Sequence, residues 1–169
     1  MGLLEALGVS IGILAGVLCM ITSALGLEGV PVFLQLAPWP GFVAWACYFA
    51  VGGKKEGLFK VVVANAVGAI WAVIIILLLV PLSFLNVVPI PGFALGIAVI
   101  IGAFFLCVEA HWPVLSFIPG AFCGCACAFG FGVGTDIQKL IAVILSMWVG
   151  AIFAILSDVW GNKMVKKQS

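Results

Sequence analysis

The sequence predicts an all-α membrane protein: six transmembrane helices arranged as a 3+3 inverted-topology repeat, with proline-broken second and fifth helices. Three observations predict this fold. Hydrophobic residues make up 66% of the 169 residues and charged residues only 8%, whereas soluble domains carry about 25% charged residues. Six apolar segments follow one another along the chain, and its two halves resemble each other. Lipid must therefore be the solvent for most of the surface.

The six apolar segments are each close to the ~20 residues that a helix needs to cross a bilayer. Short connections join them, so the chain is predicted to be a single polytopic membrane domain over 1–169, with repeat halves at about 1–82 and 83–160 and a tail at 158–169. The segments run over 7–26, 32–51, 58–80, 91–108, 113–134 and 138–157.

The lysines predict the orientation of the chain. With six crossings, one side of the membrane holds only Lys139, and the side with both termini holds the other six lysines. Because positive charge accumulates on the cytoplasmic side, both termini are predicted to be cytoplasmic. Five or seven crossings would divide the lysines between the two sides. The lysines with the termini are Lys54, Lys55, Lys60, Lys163, Lys166 and Lys167.

The internal repeat is visible in two stretches of the same length. "PGFVAWACYFAVGGKKEGLFK" covers 40–60 and "PGAFCGCACAFGFGVGTDIQK" covers 119–139, an offset of 79 residues (119 − 40). Each half contains three crossings, and because three is odd the second half must be inverted. Inverted repeats are typical of transporters. The alternative is a duplication that was kept only for packing.

Proline-rich stretches form the entries to the second and fifth segments and end at Pro40 and Pro119, each followed by glycine. A proline inside a helix removes a backbone hydrogen bond. Broken helices at matching places in two halves indicate a transporter's binding site. A plain kink packed against neighbouring helices is the alternative.

Uncharged polar residues are the candidates for contact with a solute. Gln35 and Ser116 fall in the matching proline-rich stretches and are the first choices. Asn65 lies in the middle of a segment, where an unpaired amide is costly, so it is predicted to face protein or a wet path. Ser146 is the fourth lining candidate.

Three ionisable residues lie near the ends of apolar segments: Glu28, Glu109 and His111. They are either interfacial charges in wet loops or residues at the mouths of a pathway. His111 is the single histidine and titrates near neutral pH, so it is a candidate for gating by pH.

The run "SFIPGAFCGCACAFGFGVG" contains three cysteines at alternate positions. A helix places Cys123 and Cys127 on one face and Cys125 on another, and this spacing is not a recognised zinc pattern. Small residues favour close approach of helices in lipid. The run therefore favours a packing face, with pore lining and metal or redox chemistry as alternatives; we expect no cofactor. The glycines expected to pack are Gly12, Gly16, Gly120 and Gly124.

The stretches "LSFIPGAFCGCACAFGFG" and "GFVAWACYFAVGGKKEGL" carry a resemblance to a known family. The chain resembles the YcdZ-like bacterial inner-membrane proteins, a family of unknown function, over nearly its whole length. The resemblance implies a small polytopic protein of the bacterial inner membrane. It implies no substrate and transfers no site residue.

These features favour a channel or transporter for a small neutral or weakly ionised solute, stabilised as a homo-oligomer in the lipid bilayer. The alternative is a non-transporting membrane scaffold or a partner subunit of a larger membrane complex. An enzyme is not expected, because no nucleophile lies with a base. The net charge of +1 gives no indication of nucleic acid as a partner.

Overall fold

The computed structural model describes residues 2–26 and 29–166. No strand occurs in these ranges, which confirms the all-α class. The helices are α1 (Leu3–Leu25), α2 (Pro38–Ala50), α3 (Lys54–Leu78), α4 (Phe93–Val108), α5 (Ile118–Gly130) and α6 (Ile137–Lys166). Single 3-10 turns occupy Val32–Leu34, Ser83–Val87, Glu109–His111 and Pro113–Leu115.

Four helical stretches in the described part of the chain are long and apolar enough to cross a membrane. They are α1, α3, α6, and α4 together with the turn that follows it. The helices α2 and α5 are shorter, with 13 residues each. At a rise of 1.5 Å per residue each covers about 20 Å. The predicted segments 32–51 and 113–134 are therefore only partly helical in the α form.

Prolines determine where the two short helices begin. Pro38 and Pro40 lie in the first turn of α2, and Pro119 lies in the first turn of α5. Proline is tolerated there because backbone N–H groups in the first turn have no hydrogen-bond partner within the helix, so none is lost. It also disfavours helical geometry in the preceding residue, and Ala37 is extended, with φ −115° and ψ 143°. The prolines thus start these helices and do not interrupt their interiors.

The turns after α2 and α5 are alike. Gly53 donates its N–H to the carbonyl of Tyr48 at 2.9 Å, and Val133 donates to the carbonyl of Ala128 at 3.1 Å. Gly52 and Gly132, which precede these two donors, have φ of 99° and 69°, a region that glycine occupies without steric cost. Each turn reverses the chain directly into the next long helix.

The short helices pack along the long ones: α2 along α6 and α5 along α3, with α1 against α6 and α4 against α3. Two glycines make the central crossings possible. A Cβ atom at Gly68 would overlap the backbone of Ala121, and one at Gly150 would overlap the backbone of Gly41. The backbones of the paired helices are therefore in direct contact.

The two short helices bury equivalent positions. Each buried residue of α5 follows a buried residue of α2 by 80 positions (120 − 40, and so on to 128 − 48). The offset of 79 taken from the sequence thus differs by one residue from the offset of the buried faces. The buried sets are Pro40, Gly41, Ala44, Trp45, Cys47 and Tyr48 in α2, and Gly120, Ala121, Gly124, Cys125, Cys127 and Ala128 in α5.

Candidate functional site

A buried carboxylate follows the last residue of α4. Glu109 is only 9% exposed, and its Oε2 accepts a hydrogen bond of 2.8 Å from the indole Nε1 of Trp71 in α3. The other oxygen, Oε1, is buried and has no hydrogen-bond partner in the part of the protein that the structure describes. Trp71 also stacks on Phe105, with ring centroids 6.1 Å apart and planes at 5°. The carboxylate is thus held by one neutral donor among aromatic rings.

The depth of this carboxylate follows from its partner. Trp71 lies 17 residues (71 − 54) after Lys54, the first residue of α3, which corresponds to about 25 Å along the helix. Only seven residues (78 − 71) separate it from the end of α3 at Leu78, about 10 Å. The carboxyl group therefore lies beside the second half of α3, away from its charged first turn. The sequence places Glu109 near the end of an apolar segment, and the structure adds that its side chain is buried.

The two ionisable candidates that the structure describes, Glu109 and His111, are not bonded to each other. His111 is exposed, and its Nδ1 donates to the carbonyl of Val108 at 2.7 Å. It makes no hydrogen bond to Glu109, although the two share one 3-10 turn. Glu28 lies outside the described residues.

Asn65 and Ser146 each join a long helix to the start of a short one. Asn65 in α3 donates through Nδ2 to the carbonyl of Gly120 at 3.0 Å. Ser146 in α6 accepts a 3.0 Å hydrogen bond from the backbone N–H of Ala37 and donates to the carbonyl of Ala142 at 2.7 Å. Both side chains are buried. They fix the beginnings of α5 and α2 against the long helices.

Gln35 and Ser116 bond within their own loops. Gln35 donates through Nε2 to the carbonyl of Val30 at 2.8 Å, and Ser116 donates to the carbonyl of Pro113 at 2.8 Å. The four polar candidates are therefore distributed as two pairs, one at the beginning of each short helix. Gln35 accompanies Ser146 at α2, and Ser116 accompanies Asn65 at α5. The structure does not bring all four to one place.

Replacing Ser146 by alanine is expected to lower the free energy of unfolding by about 1–3 kcal/mol, because the partly buried N–H of Ala37 loses its acceptor. The exposed Ser116 provides the matched control, and its replacement by alanine is expected to stay within about 0.5 kcal/mol of the wild type. Unfolding of both variants in detergent, followed by circular dichroism, measures the difference. Equal costs for the two variants would contradict the tie between α6 and α2.

The cysteines lie among apolar side chains. Cys47 and Cys127 are buried in the contact between the short helices, close to Cys123. Cys125 lines an apolar groove between α3, α4 and α5. No group of three or more His, Cys, Asp or Glu side chains with metal-binding geometry occurs within residues 2–26 and 29–166.

The glycines expected to pack fall into two kinds of surroundings. A Cβ at Gly124 would overlap the backbone of Asn65, and one at Gly120 would meet the ring of Phe117. Gly12 and Gly16 lie on an exposed face of α1, where an added Cβ would meet no atom within 4 Å.

Tyr48 is a buried residue that the sequence did not single out. Its hydroxyl donates to Oδ2 of Asp158 in α6 at 2.8 Å and accepts a 2.9 Å hydrogen bond from the N–H of Lys54 in α3. One side chain of α2 thus joins three helices. The signal in the sequence is slight: Tyr48 is the single tyrosine of a chain that has thirteen phenylalanines. Its hydroxyl, which phenylalanine lacks, makes these two hydrogen bonds.

The long apolar helices, the two short helices between them and the enclosed carboxylate define a multi-pass helical membrane protein. The chain belongs to the family described as "Protein of unknown function (DUF1097)", which it matches over residues 8–162. This membership and the relatives below confirm the resemblance to YcdZ-like proteins.

Two proteins of Escherichia coli (strain K12) are similar to the chain. It is 33% identical to "Inner membrane protein YcdZ" over 127 residues, which are 73% of this chain and 68% of that protein. It is 28% identical to "Uncharacterized protein YahC" over 167 residues, which are 95% of this chain and 92% of that protein. No solved structure matches the chain. The relatives and the apolar helices support a multi-pass protein of the bacterial inner membrane.

Proposed function

We propose that the protein moves a small neutral or weakly ionised solute across the bacterial inner membrane, as a channel or transporter built from two inverted halves. The observation that carries this proposal is the pair of matched short helices. They bury equivalent positions 80 residues apart (120 − 40), and each follows a 3-10 turn and has a proline in its first turn. Interrupted helices at equivalent places in two inverted halves are typical of a pathway near the midplane.

The helix pairings support the inverted arrangement. In α2 and α6, Gly41 lies against Gly150, and Tyr48 bonds to Asp158, so these two helices run parallel. The corresponding crossing in the other pair is that of Ala121 in α5 with Gly68 in α3. Each short helix therefore packs on the last long helix of the other half. A pseudo-two-fold axis in the membrane plane that relates the two halves would pair each short helix with the long helix of the other half in this way.

The lysine distribution supports cytoplasmic termini. The hydrogen bond between Tyr48 and Asp158 places the end of α2 beside the last part of α6. Lys54 and Lys163 therefore lie at the same end of the bundle, and Lys139, near the start of α6, lies at the opposite end. The end with more lysines is the cytoplasmic one by the positive-inside rule.

The scarcity of buried acidic and basic side chains supports the proposal that the solute carries no permanent charge. Glu109 is the one Asp, Glu, Lys or His side chain that is buried within the described residues. A permanently charged solute needs compensating groups along its path, because moving an unpaired charge into an apolar interior is costly. A small molecule that crosses in a neutral form needs only hydrogen-bonding groups along its path.

We propose self-association of the protein as part of this function. The face of α1 with Gly8, Gly12 and Gly16 is exposed, with no atom within 4 Å of an added Cβ. Small residues let helices from separate copies approach closely in lipid.

A solute screen in reconstituted vesicles tests the transport proposal. Vesicles that contain the protein are mixed with a panel of small polar solutes, and swelling is followed by stopped-flow light scattering. One solute is expected to enter several-fold faster than into empty vesicles. Gln35→Leu and Ser116→Leu are expected to slow that entry, whereas Gly96→Ala, at an open position on α4, is expected to leave it unchanged.

The second candidate is a scaffold or partner subunit that transports nothing. The close contacts of Gly68 with Ala121 and of Gly150 with Gly41 favour it, because they fill the centre of the bundle with backbone. Single cysteines introduced at 35 and 116 distinguish the two functions. Labelling by a water-soluble thiol reagent in membranes is expected for a pathway. Absence of labelling at both positions, together with absence of swelling in the screen, would support the scaffold.

A further inference from the structure

The carboxyl group of Glu109 is enclosed without a positive charge. Its single hydrogen-bond partner in the described structure is the neutral indole of Trp71, 2.8 Å away, and Oε1 is buried without a partner there. An ionised carboxylate in such surroundings is unstable unless something neutralises it. Ionisable residues held inside the membrane mark ion or proton paths. The identity of the ligand that neutralises Glu109 follows from its surroundings.

The other titratable groups near this carboxyl do not neutralise it. On its own side of the bundle, His111 is exposed and bonded to Val108, and Cys107 of α4 is exposed. In α5, Cys125 faces the groove next to Leu106. In α3, Lys60 precedes Trp71 by eleven residues (71 − 60), about 16 Å along the helix. None of them makes a hydrogen bond or an ion pair to Glu109 in the described parts of the chain.

The two neighbouring grooves do not open onto the carboxyl group. One groove, of about 200 Å³, is lined by apolar groups including Leu106 and Cys125. The other, of about 480 Å³, lies between Lys60 and Pro113 at the start of α3. Glu109 lines neither of them. Neither of these two grooves therefore provides space for a ligand at the carboxyl group, and a proton needs none.

We propose that Glu109 is a proton-binding site inside the membrane. The carboxyl group carries a proton on Oε1 in the enclosed state described here and releases it when the site opens to water. The coupling of this proton to solute movement rests on the proposed function, whereas proton binding itself does not. Nothing but a proton is exchanged, so the group alternates between carboxylic acid and carboxylate.

Trp71 is the positioning residue of this site. Its indole N–H is a donor only, so it holds Oε2 in both the protonated and the ionised form of the acid. Oε1 is thereby left as the atom that gains and loses the proton. The stacked ring of Phe105, at 6.1 Å, limits the movement of the indole.

Infrared difference spectroscopy of the full-length protein in lipid bilayers tests the site. The protein is titrated from acid to alkaline pH, and the carbonyl band of protonated carboxyl groups is followed. The wild type is expected to show one titrating band from an acid sheltered from water, and Glu109→Gln is expected to lose it. Glu56→Gln, which changes an exposed carboxylate in the first turn of α3, is expected to keep it.

A second variant, Trp71→Phe, tests the same site if Glu109→Gln does not fold. Trp71→Phe keeps the acid but removes its donor, so the same band is expected to shift in frequency. The proposal is overturned if no sheltered band is present at any pH, or if the band does not change with pH. Swelling without a titrating band would refute the proton site alone, and a titrating band without swelling would refute the transport function alone.

Discussion

Replacing Gly68 or Gly150 by leucine is expected to abolish the folded protein. At each position the first added atom, Cβ, overlaps the backbone of the partner helix, at Ala121 or at Gly41. A backbone cannot move aside by changing a rotamer, so the helices must separate. Even alanine is expected to cost about 3 kcal/mol, the upper end of the usual cost of overpacking. Thermal unfolding and size-exclusion chromatography in detergent measure the loss.

Two other helical glycines provide controls for this prediction. An added Cβ at Gly12 in α1 or at Gly96 in α4 meets no atom within 4 Å. Alanine at either position is expected to be neutral or to stabilise by up to about 1 kcal/mol, because alanine is the better helix former. If Gly68→Ala unfolded at the same temperature as Gly12→Ala, the backbone contact between α3 and α5 would be refuted.

Replacing Tyr48 by phenylalanine is expected to lower the free energy of unfolding by about 1–3 kcal/mol. The change keeps the ring but removes the hydroxyl that serves both Asp158 and the N–H of Lys54. Leaving buried polar groups without partners has this cost. Tyr48→Ala removes the ring as well and is expected to cost about 3–5 kcal/mol. Denaturant unfolding of the three proteins separates the hydroxyl from the ring.

The neighbouring Phe49 provides the control for Tyr48. Its ring is 37% exposed, so Phe49→Leu is expected to stay within about 1 kcal/mol of the wild type. A second control is Asp158→Asn, which keeps an oxygen acceptor for the hydroxyl and is expected to cost less than Tyr48→Phe. If Tyr48→Phe cost nothing, the junction of α2, α3 and α6 would depend on packing alone.

Composition and hydropathy were sufficient to predict the helical class and the membrane. They were not sufficient to predict the lengths of the second and fifth helices. An apolar segment satisfies the bilayer whether it is α-helical or contains an extended stretch whose backbone finds partners within the protein. The segments 32–51 and 113–134 are of this second kind. Prolines marked where their helices begin, but hydropathy alone did not.

The repeat was detected from identical residues, and its offset shows the limit of that approach. Matching Pro40 with Pro119 gives 79, whereas the buried face equates Pro40 with Gly120. Pro40 and Gly120 are both buried in their helices although their residue types differ. The offset between identical residues and the offset between equivalent buried positions therefore differ by one residue. The two helices share a buried face and not each residue type.

The site residues were harder to place than the helices. Glu109 stands near the end of an apolar segment, which predicts a surface position, but its side chain is buried and bonded to Trp71 of α3. The contact of Ser146 with Ala37 joins residues 109 positions apart, and no local pattern indicates such a pair. Depth and long-range contacts depend on how helices pack, which a single sequence does not contain.

The short span of α2 and α5 has an electrical consequence. Each has 13 residues and is about 20 Å long, against a hydrocarbon layer of ~30 Å. The proposed pathway would bring water to both ends of these helices, and the membrane potential would then fall across this shorter insulating length. A charge that follows that pathway would cross the whole potential over about two-thirds of the bilayer's thickness.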